Sequence, residues 1–147
     1  MIFIGLAGST MARRDNMGLA IVEAGMRMAG GPRRLVRHGI CSPEPTDVRD
    51  EITRARRTRE LAQDMRGTKF SGAVFTHVLT EEEARAIRDM GGEIWHVEGM
   101  PSDRVVIRRL DQMVTDTEGG SRHYLDATEA LSEMVLQAAA KRPTGVA

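Results

Sequence analysis

The sequence predicts an α/β fold, a small three-layer domain in which helices cover a parallel sheet. The chain begins with an apolar run over residues 2–7 (IFIGLA), then Gly8 and a segment with helical apolar spacing. Farther on, a strand-like run over 71–79 leads into a helix that ends at Gly91-Gly92, and a third strand follows over 93–98. Strand, helix and strand with short connections form a right-handed crossover, which makes the strands parallel.

The remaining elements follow from capping residues and from breakers. Thr80 and Glu83 have the spacing of a capping box, so a helix is expected to begin there. Gly30-Gly31-Pro32 is expected to end the first helix. Four further elements are predicted, in chain order: an irregular connection over 33–45, an arginine-rich helix over 46–66 beginning at Thr46, a short helix over 103–110 and a last helix from Asp126 to Lys141.

Length and composition predict one domain over residues 1–147, with residues 142–147 as a tail that frays. Cys41 is the single cysteine, and the cysteine and histidine residues have no zinc-site spacing, so no metal is expected. The apolar run at the N-terminus is too short for a signal peptide or a membrane span. A cytoplasmic protein that does not bind a membrane is therefore expected, and the oligomeric state is left open.

Charge is distributed unevenly between the two halves of the chain. Residues 1–70 contain 13 Lys and Arg against 8 Asp and Glu, whereas residues 71–147 contain 8 against 13. A net charge of +5 in the first half is compatible with an anionic ligand there. Five aromatic residues offer few platforms for base stacking, so nucleic acid is not an expected partner.

Two stretches resemble the phage deoxynucleoside monophosphate kinases, which are P-loop enzymes related to the adenylate kinases. Residues 83–97 (EARAIRDMGGEIWHV) resemble the family's helix that begins with Glu-Ala and ends in Gly-Gly before an apolar strand. Residues 110–131 resemble its closing pattern of an Asp, an apolar residue, a polar turn and a helix. The order of predicted elements agrees with the family over most of the chain. The resemblance implies a P-loop nucleotide-kinase-like fold, ATP and Mg²⁺ as cofactors if the protein is active, and a phage-encoded protein that works in the host cytoplasm.

The family's phosphate loop has the form G-x-x-x-x-G-K followed by a small polar pair, and its backbone N–H groups surround phosphates. Aligned on Gly8, the resemblance puts Arg13 at the second glycine, Arg14 at the lysine and Asn16 at the magnesium-facing hydroxyl. Three of the four diagnostic positions therefore differ from the family. Arg14 and Asp15 are the catalytic candidates, and the predicted phosphate-binding set is Gly8, Ser9, Thr10, Arg13, Arg14 and Asn16.

A second family motif, Asp-x-Arg, closes the second core strand and helps to organise magnesium and water. Counting back from Glu83 puts His77 at the acid and Leu79 at the arginine. Loss of the acid, the hydroxyl and the lysine removes most of the groups that position and neutralise a transferring phosphate. The resemblance therefore implies a nucleotide-kinase-like protein without kinase activity.

Three functions are compatible with these observations. The first is a protein that has lost phosphoryl transfer and binds a nucleotide or a protein partner. The second is an active deoxynucleoside or nucleoside monophosphate kinase in which Arg14 replaces the lysine. The third is an interaction protein that docks on an acidic partner through the helix over 46–66. Arg54, Arg57 and His77 are the candidate contacts with a substrate or partner.

Overall fold

A computed structural model of the protein describes residues 1–141 and contains five strands and four helices. The predicted tail over 142–147 lies outside these residues. The elements are, in chain order, β1 (Ile2–Ala7), α1 (Met11–Arg27), β2 (Leu35–His38), α2 (Val48–Met65), β3 (Gly72–Phe75), α3 (Glu81–Asp89), β4 (Glu93–Val97), β5 (Gln112–Val114) and α4 (Ala127–Ala140).

The five strands form one parallel sheet in the order β2-β3-β1-β4-β5. Helices α1 and α4 pack together, as do α2 and α3, and each pair lies against its own hydrophobic cluster. Side chains of β1 point alternately to the two faces of the sheet. Ile4 and Leu6 belong to the first cluster, and Phe3 and Ala7 belong to the second. The predicted α/β fold with a parallel sheet between helices is confirmed.

Short polar side chains begin the helices. Thr80 accepts a hydrogen bond from the N–H of Glu83, and its hydroxyl donates to the Glu83 carboxylate, so the predicted helix start at Thr80 is confirmed. Helix α4 begins after Asp126, as predicted. In α2 the capping residue is Asp47, whereas the predicted Thr46 lies one residue outside and binds the carboxylate of Asp50.

Two short strands and one loop differ from the sequence-based prediction. Strand β2 lies inside the segment predicted to be irregular, and β5 follows a segment predicted as helix over 103–110. Both strands are at the edges of the sheet and have only four and three residues, so their pairing with β3 and β4 defines them. The segment 103–110 has one buried side chain, Val105, which gives it no apolar helix face.

One ion pair is enclosed between the second and third helices. Arg54 on α2 and Glu83 on α3 are each about 1% exposed at the side chain, with Nε 2.6 Å from Oε1 and Nη2 3.2 Å from Oε2. Arg54 also donates to the carbonyl oxygens of Pro43 and His77, both at 3.0 Å. Burial raises the pKa of Glu83, and the contacts with Arg54 and Thr80 oppose that rise. The pair thereby joins α2, α3, the end of β3 and the loop before α2.

Replacing Arg54 with Ala is expected to lower the free energy of unfolding by about 3–5 kcal/mol, because the Glu83 carboxylate would stay buried without a counter-charge. Urea unfolding followed by circular dichroism measures this difference. Arg56→Ala is the matched control, since Arg56 lies exposed on the same helix and should change stability by at most about 0.5 kcal/mol. The double replacement Arg54→Met with Glu83→Leu should recover much of the loss. A loss below about 1 kcal/mol for Arg54→Ala would contradict this account.

Candidate functional site

A cleft of about 750 Å³ opens at the carboxyl edge of the sheet. The chain leaves β1 toward α1 on one face and leaves β3 toward α3 on the other, so the two connections diverge between neighbouring strands. Ligands of open α/β sheets bind at such switch points. The cleft is lined by Gly8, Ser9, Arg14, Glu44, Pro45, Thr46, Val78, Leu79, Met100, Pro101, Ser102, Asp103 and Arg104.

The connection between β1 and α1 is much shorter than a phosphate loop. Only Gly8 and Ser9 separate the strand from the capping residue Thr10, and both have left-handed backbone angles, with φ of 78° and 59°. Helix α1 already begins at Met11, so Arg13 and Arg14 lie in its first turns. The G-x-x-x-x-G-K geometry expected from Gly8 to Arg14 therefore does not form. Arg13 lies within this helix and has an ordinary helical backbone, although the alignment puts it at a glycine of the phosphate loop.

Arg14 is 6% exposed and fills the space behind this turn. Its Nε donates to the carbonyl oxygen of Thr76 at 3.1 Å, and Nη1 donates to those of Gly8 at 2.9 Å and Ser9 at 3.3 Å. Nη2 has no acceptor among the described residues, and Arg14 is one of the residues that line the cleft. Burial lowers the pKa of Arg14, although guanidinium groups stay charged at neutral pH.

A segment from the far side of the cleft covers the turn. The N–H of Ser9 donates to the carbonyl oxygen of Met100 at 2.7 Å. A Cβ atom on Gly8 would lie 3.4 Å from the backbone nitrogen of Ser102, which shows how closely the segment approaches. The Ser9 Oγ is buried and has no hydrogen-bond partner among residues 1–141. The turn is therefore filled, and the N–H group of Ser9 is bound within the protein.

Arg13 and Asn16 lie on the other side of α1 and do not line the cleft. Arg13 Nη2 is 2.6 Å from the Asp116 carboxylate and 3.1 Å from that of Glu98. The hydrogen bond from Arg13 is the main reason that the pKa of Asp116 is lowered, and the nearby Asn16 side chain lowers it further. Two of the predicted phosphate-binding residues thus belong to a separate ionic cluster at the ends of β4 and β5.

His77 follows β3 and is 7% exposed. Its Nε2 is 3.4 Å from the carboxylate of Asp15, and its Nδ1 is buried with no partner among the described residues. Burial lowers the pKa of His77, whereas the Asp15 carboxylate opposes that shift. The structure therefore brings Asp15 and His77 together behind the turn, and neither lines the cleft.

The two arginines predicted to contact a substrate or partner have different surroundings. Arg54 is fully buried in the ion pair with Glu83, so its guanidinium is not accessible to a ligand, contrary to the expectation from sequence. The arginines of α2 look alike in the sequence, and their spacing does not reveal that Arg54 faces inward. Arg57 is exposed, and its Nη1 donates to the Ser42 carbonyl at 2.7 Å.

Sequence reasoning missed the two walls of the cleft that come from loops. One wall is formed by residues 44–46 before α2, and the other by residues 100–104 after β4. Both segments lie in connections that leave the carboxyl ends of parallel strands, and such connections meet at one edge of the sheet, which was the available signal. Among residues 1–141, no cluster of three metal-binding side chains occurs. Within the same part of the chain, none of the helices combines the length and hydrophobicity needed to span a bilayer.

The parallel sheet and its flanking helices form an α/β fold similar to that of a solved kinase structure. A solved structure of a hexameric APS kinase from Thiobacillus denitrificans is similar, with a TM-score of 0.54 and 16% sequence identity. The similarity covers 95% of this chain and 29% of that one, so the present sequence spans less than a third of the other protein. No family model and no curated protein matches the sequence. The likeness shows the fold alone.

Asp116→Asn is expected to lower the free energy of unfolding at pH 7, because Arg13 would lose its closest carboxylate. The folded pKa of Asp116 is lowered, so the carboxylate stabilises the fold above its unfolded pKa of about 3.9, and this contribution disappears as the pH falls through the folded value. The difference between wild type and variant should therefore narrow below about pH 4. Urea unfolding at pH 7, 5 and 3 tests this, and a difference that is constant with pH would contradict it.

Proposed function

We propose that the protein binds a nucleotide in the cleft through the nucleotide's phosphate, and that it does not transfer that phosphate. The observation that carries the proposal is Arg14, a cleft-lining guanidinium beside the beginning of α1 whose Nη2 has no acceptor among residues 1–141. Guanidinium groups form strong charge-assisted hydrogen bonds with phosphate oxygens. The nitrogen atoms Nε and Nη1 are held by three carbonyl oxygens, so the group is oriented before any ligand binds.

The backbone around Arg14 supports the same ligand class. The first N–H groups of a helix have no acceptor within the helix, and they favour negative charge. Thr10 caps one of them, that of Arg13, with its side chain. Helix α1 has no acidic residue at its first positions that would repel an anion. Arg14 and the N-terminus of α1 together therefore favour an anionic group at this end of the cleft.

The absence of phosphoryl transfer is proposed from the groups that would have to act. A kinase places a lysine, a magnesium-bound hydroxyl and a carboxylate around the transferring phosphate. Here an arginine whose Nε and Nη1 bind the turn and the end of β3 replaces the lysine, Asn16 replaces the hydroxyl, and the buried His77 occupies the position of the acid. An active kinase would use ATP and Mg²⁺, and these side chains give such chemistry little support.

The cleft is better supported than a docking surface on α2. Arg54 was one of the arginines expected to face a protein partner, and it is enclosed in the ion pair with Glu83. Arg56 and Arg57 are still exposed on that helix, but each has a contact within the protein, with Glu60 and Ser42 respectively. Binding of a nucleotide in the cleft is therefore the leading proposal, and binding of a protein partner is the alternative.

Calorimetric titration with ATP and with each deoxynucleoside monophosphate, with and without magnesium, tests the proposal. Micromolar binding that does not require magnesium is expected for at least one nucleotide. Arg14→Gln should weaken it by on the order of tenfold or more, since a hydrogen bond between charged groups is lost. Arg13→Gln is the matched control, because the neighbouring arginine contacts Glu98 and Asp116, and it should change affinity by less than about twofold.

Two results would contradict the proposal. Magnesium-dependent phosphoryl transfer from ATP that is abolished in Arg14→Ala would show an active kinase with an arginine in place of the lysine. The absence of binding to any nucleotide would direct attention to a protein partner. Circular dichroism of each variant, measured beforehand, separates a lost contact from a lost fold.

A further inference from the structure

We infer that residues 99–104, here called the strap, act as an internal competitor for the site, because the Met100 carbonyl oxygen occupies a position that a phosphate oxygen would take. This inference rests on the proposed binding of a nucleotide. Anions at such turns are bound by backbone N–H groups. At the turn after β1, the Ser9 N–H already donates to the Met100 carbonyl oxygen at 2.7 Å. An anionic ligand that uses this donor must therefore displace the strap.

The strap is held by polar contacts and has no buried side chain of its own. Residues 99–101, 103 and 104 are exposed, Ser102 is half-buried, and the Met100 side chain is 81% exposed. The buried anchors lie outside it, at Val97 on one side and Val105 on the other, each 3% exposed. Segments with few buried apolar contacts open at low cost. The strap can therefore lift while both of its ends stay in place.

Two contacts close the strap over the cleft. The first is the bond from Ser9 to Met100, and the second is a hydrogen bond from Arg104 Nη1 to the Pro45 carbonyl oxygen on the opposite wall. Gly99 has a φ of 138°, and a Cβ atom there would lie 2.5 Å from Ser9 Oγ. Only glycine is compatible with this closed position, which makes residue 99 a natural hinge.

The closed strap leaves one polar group without a partner. Ser9 Oγ is buried next to Gly99 and has no hydrogen bond among residues 1–141. Buried polar groups are costly when they are unpaired, so the closed position is less favourable than its two contacts suggest. Lifting the strap would expose this hydroxyl to water or to a ligand oxygen. The same movement would free the Ser9 N–H and uncover Arg14 Nη2 more fully.

Pro101→Gly tests the strap without altering charge. Replacing an exposed proline by glycine loosens the closed segment, and we expect amide exchange of Ser9 to become about two- to fivefold faster. Inorganic pyrophosphate should bind more tightly to Pro101→Gly than to wild type by the same factor. Pro32→Gly is the matched control, since Pro32 precedes β2 at the opposite edge of the sheet, and it should change neither quantity. Exchange is followed by NMR of the labelled full chain, and binding by calorimetry.

Arg104→Ala provides an independent test of closure, because it removes the contact with Pro45 and leaves the turn itself intact. Faster Ser9 exchange is expected in this variant as well, whereas Arg109→Ala in the same loop should leave it unchanged. Equal pyrophosphate affinity in wild type and Pro101→Gly would contradict the proposed competition by the strap, but it would not contradict the proposed function. If neither protein binds pyrophosphate or any nucleotide, the proposed function fails, and the competition fails with it.

Discussion

The buried ion pair between Arg54 and Glu83 determines where the cleft can form. It joins two helices to each other, and Arg54 extends from the same contact to the carbonyl oxygens of His77 and Pro43. Those oxygens belong to the end of β3 and to the loop before α2, which are two neighbours of the cleft. A buried pair of this kind adds little net stability compared with apolar packing, but it fixes direction, because each hydrogen bond requires its own geometry. The carboxyl edge of the sheet is consequently ordered on this side by a buried arginine that does not line the cleft.

Neighbouring arginines on α1 serve opposite sides of the helix. Arg13 extends toward β4 and β5, where Glu98 and Asp116 neutralise it, whereas Arg14 turns back under the β1 turn and binds carbonyl oxygens. The difference follows from helical geometry, since successive residues are about 100° apart around the axis. Of the two, only Arg14 lines the cleft. The two arginines look equivalent in the sequence, but Arg13 has a structural role and Arg14 is a candidate contact for a ligand.

The sequence predicted the helices with clear caps and spacing, and it indicated a phosphate-binding segment after β1, where the structure has a cleft. It did not predict β2 or β5, because edge strands of three or four residues have too little pattern of their own and depend on the register with β3 and β4. The arginine stripe of α2 likewise gave no sign that Arg54 faces inward, since its partner Glu83 is 29 residues away. Local sequence patterns predict the longer helices and strands, whereas contacts between residues that are distant in the sequence form the candidate site.

The shape of the turn after β1 illustrates this limit most clearly. Residues 8–16 alone are compatible with an open loop or with a filled turn, and the choice depends on Met100 and Thr76, whose backbone oxygens bind Ser9 and Arg14. A lysine at position 14 would not reproduce these contacts, because it would offer one nitrogen where the guanidinium binds the three carbonyl oxygens with two. The arginine and the short turn are therefore consistent with each other. They form one arrangement, in which the Arg14 side chain and the Met100 carbonyl oxygen bind the backbone of the turn.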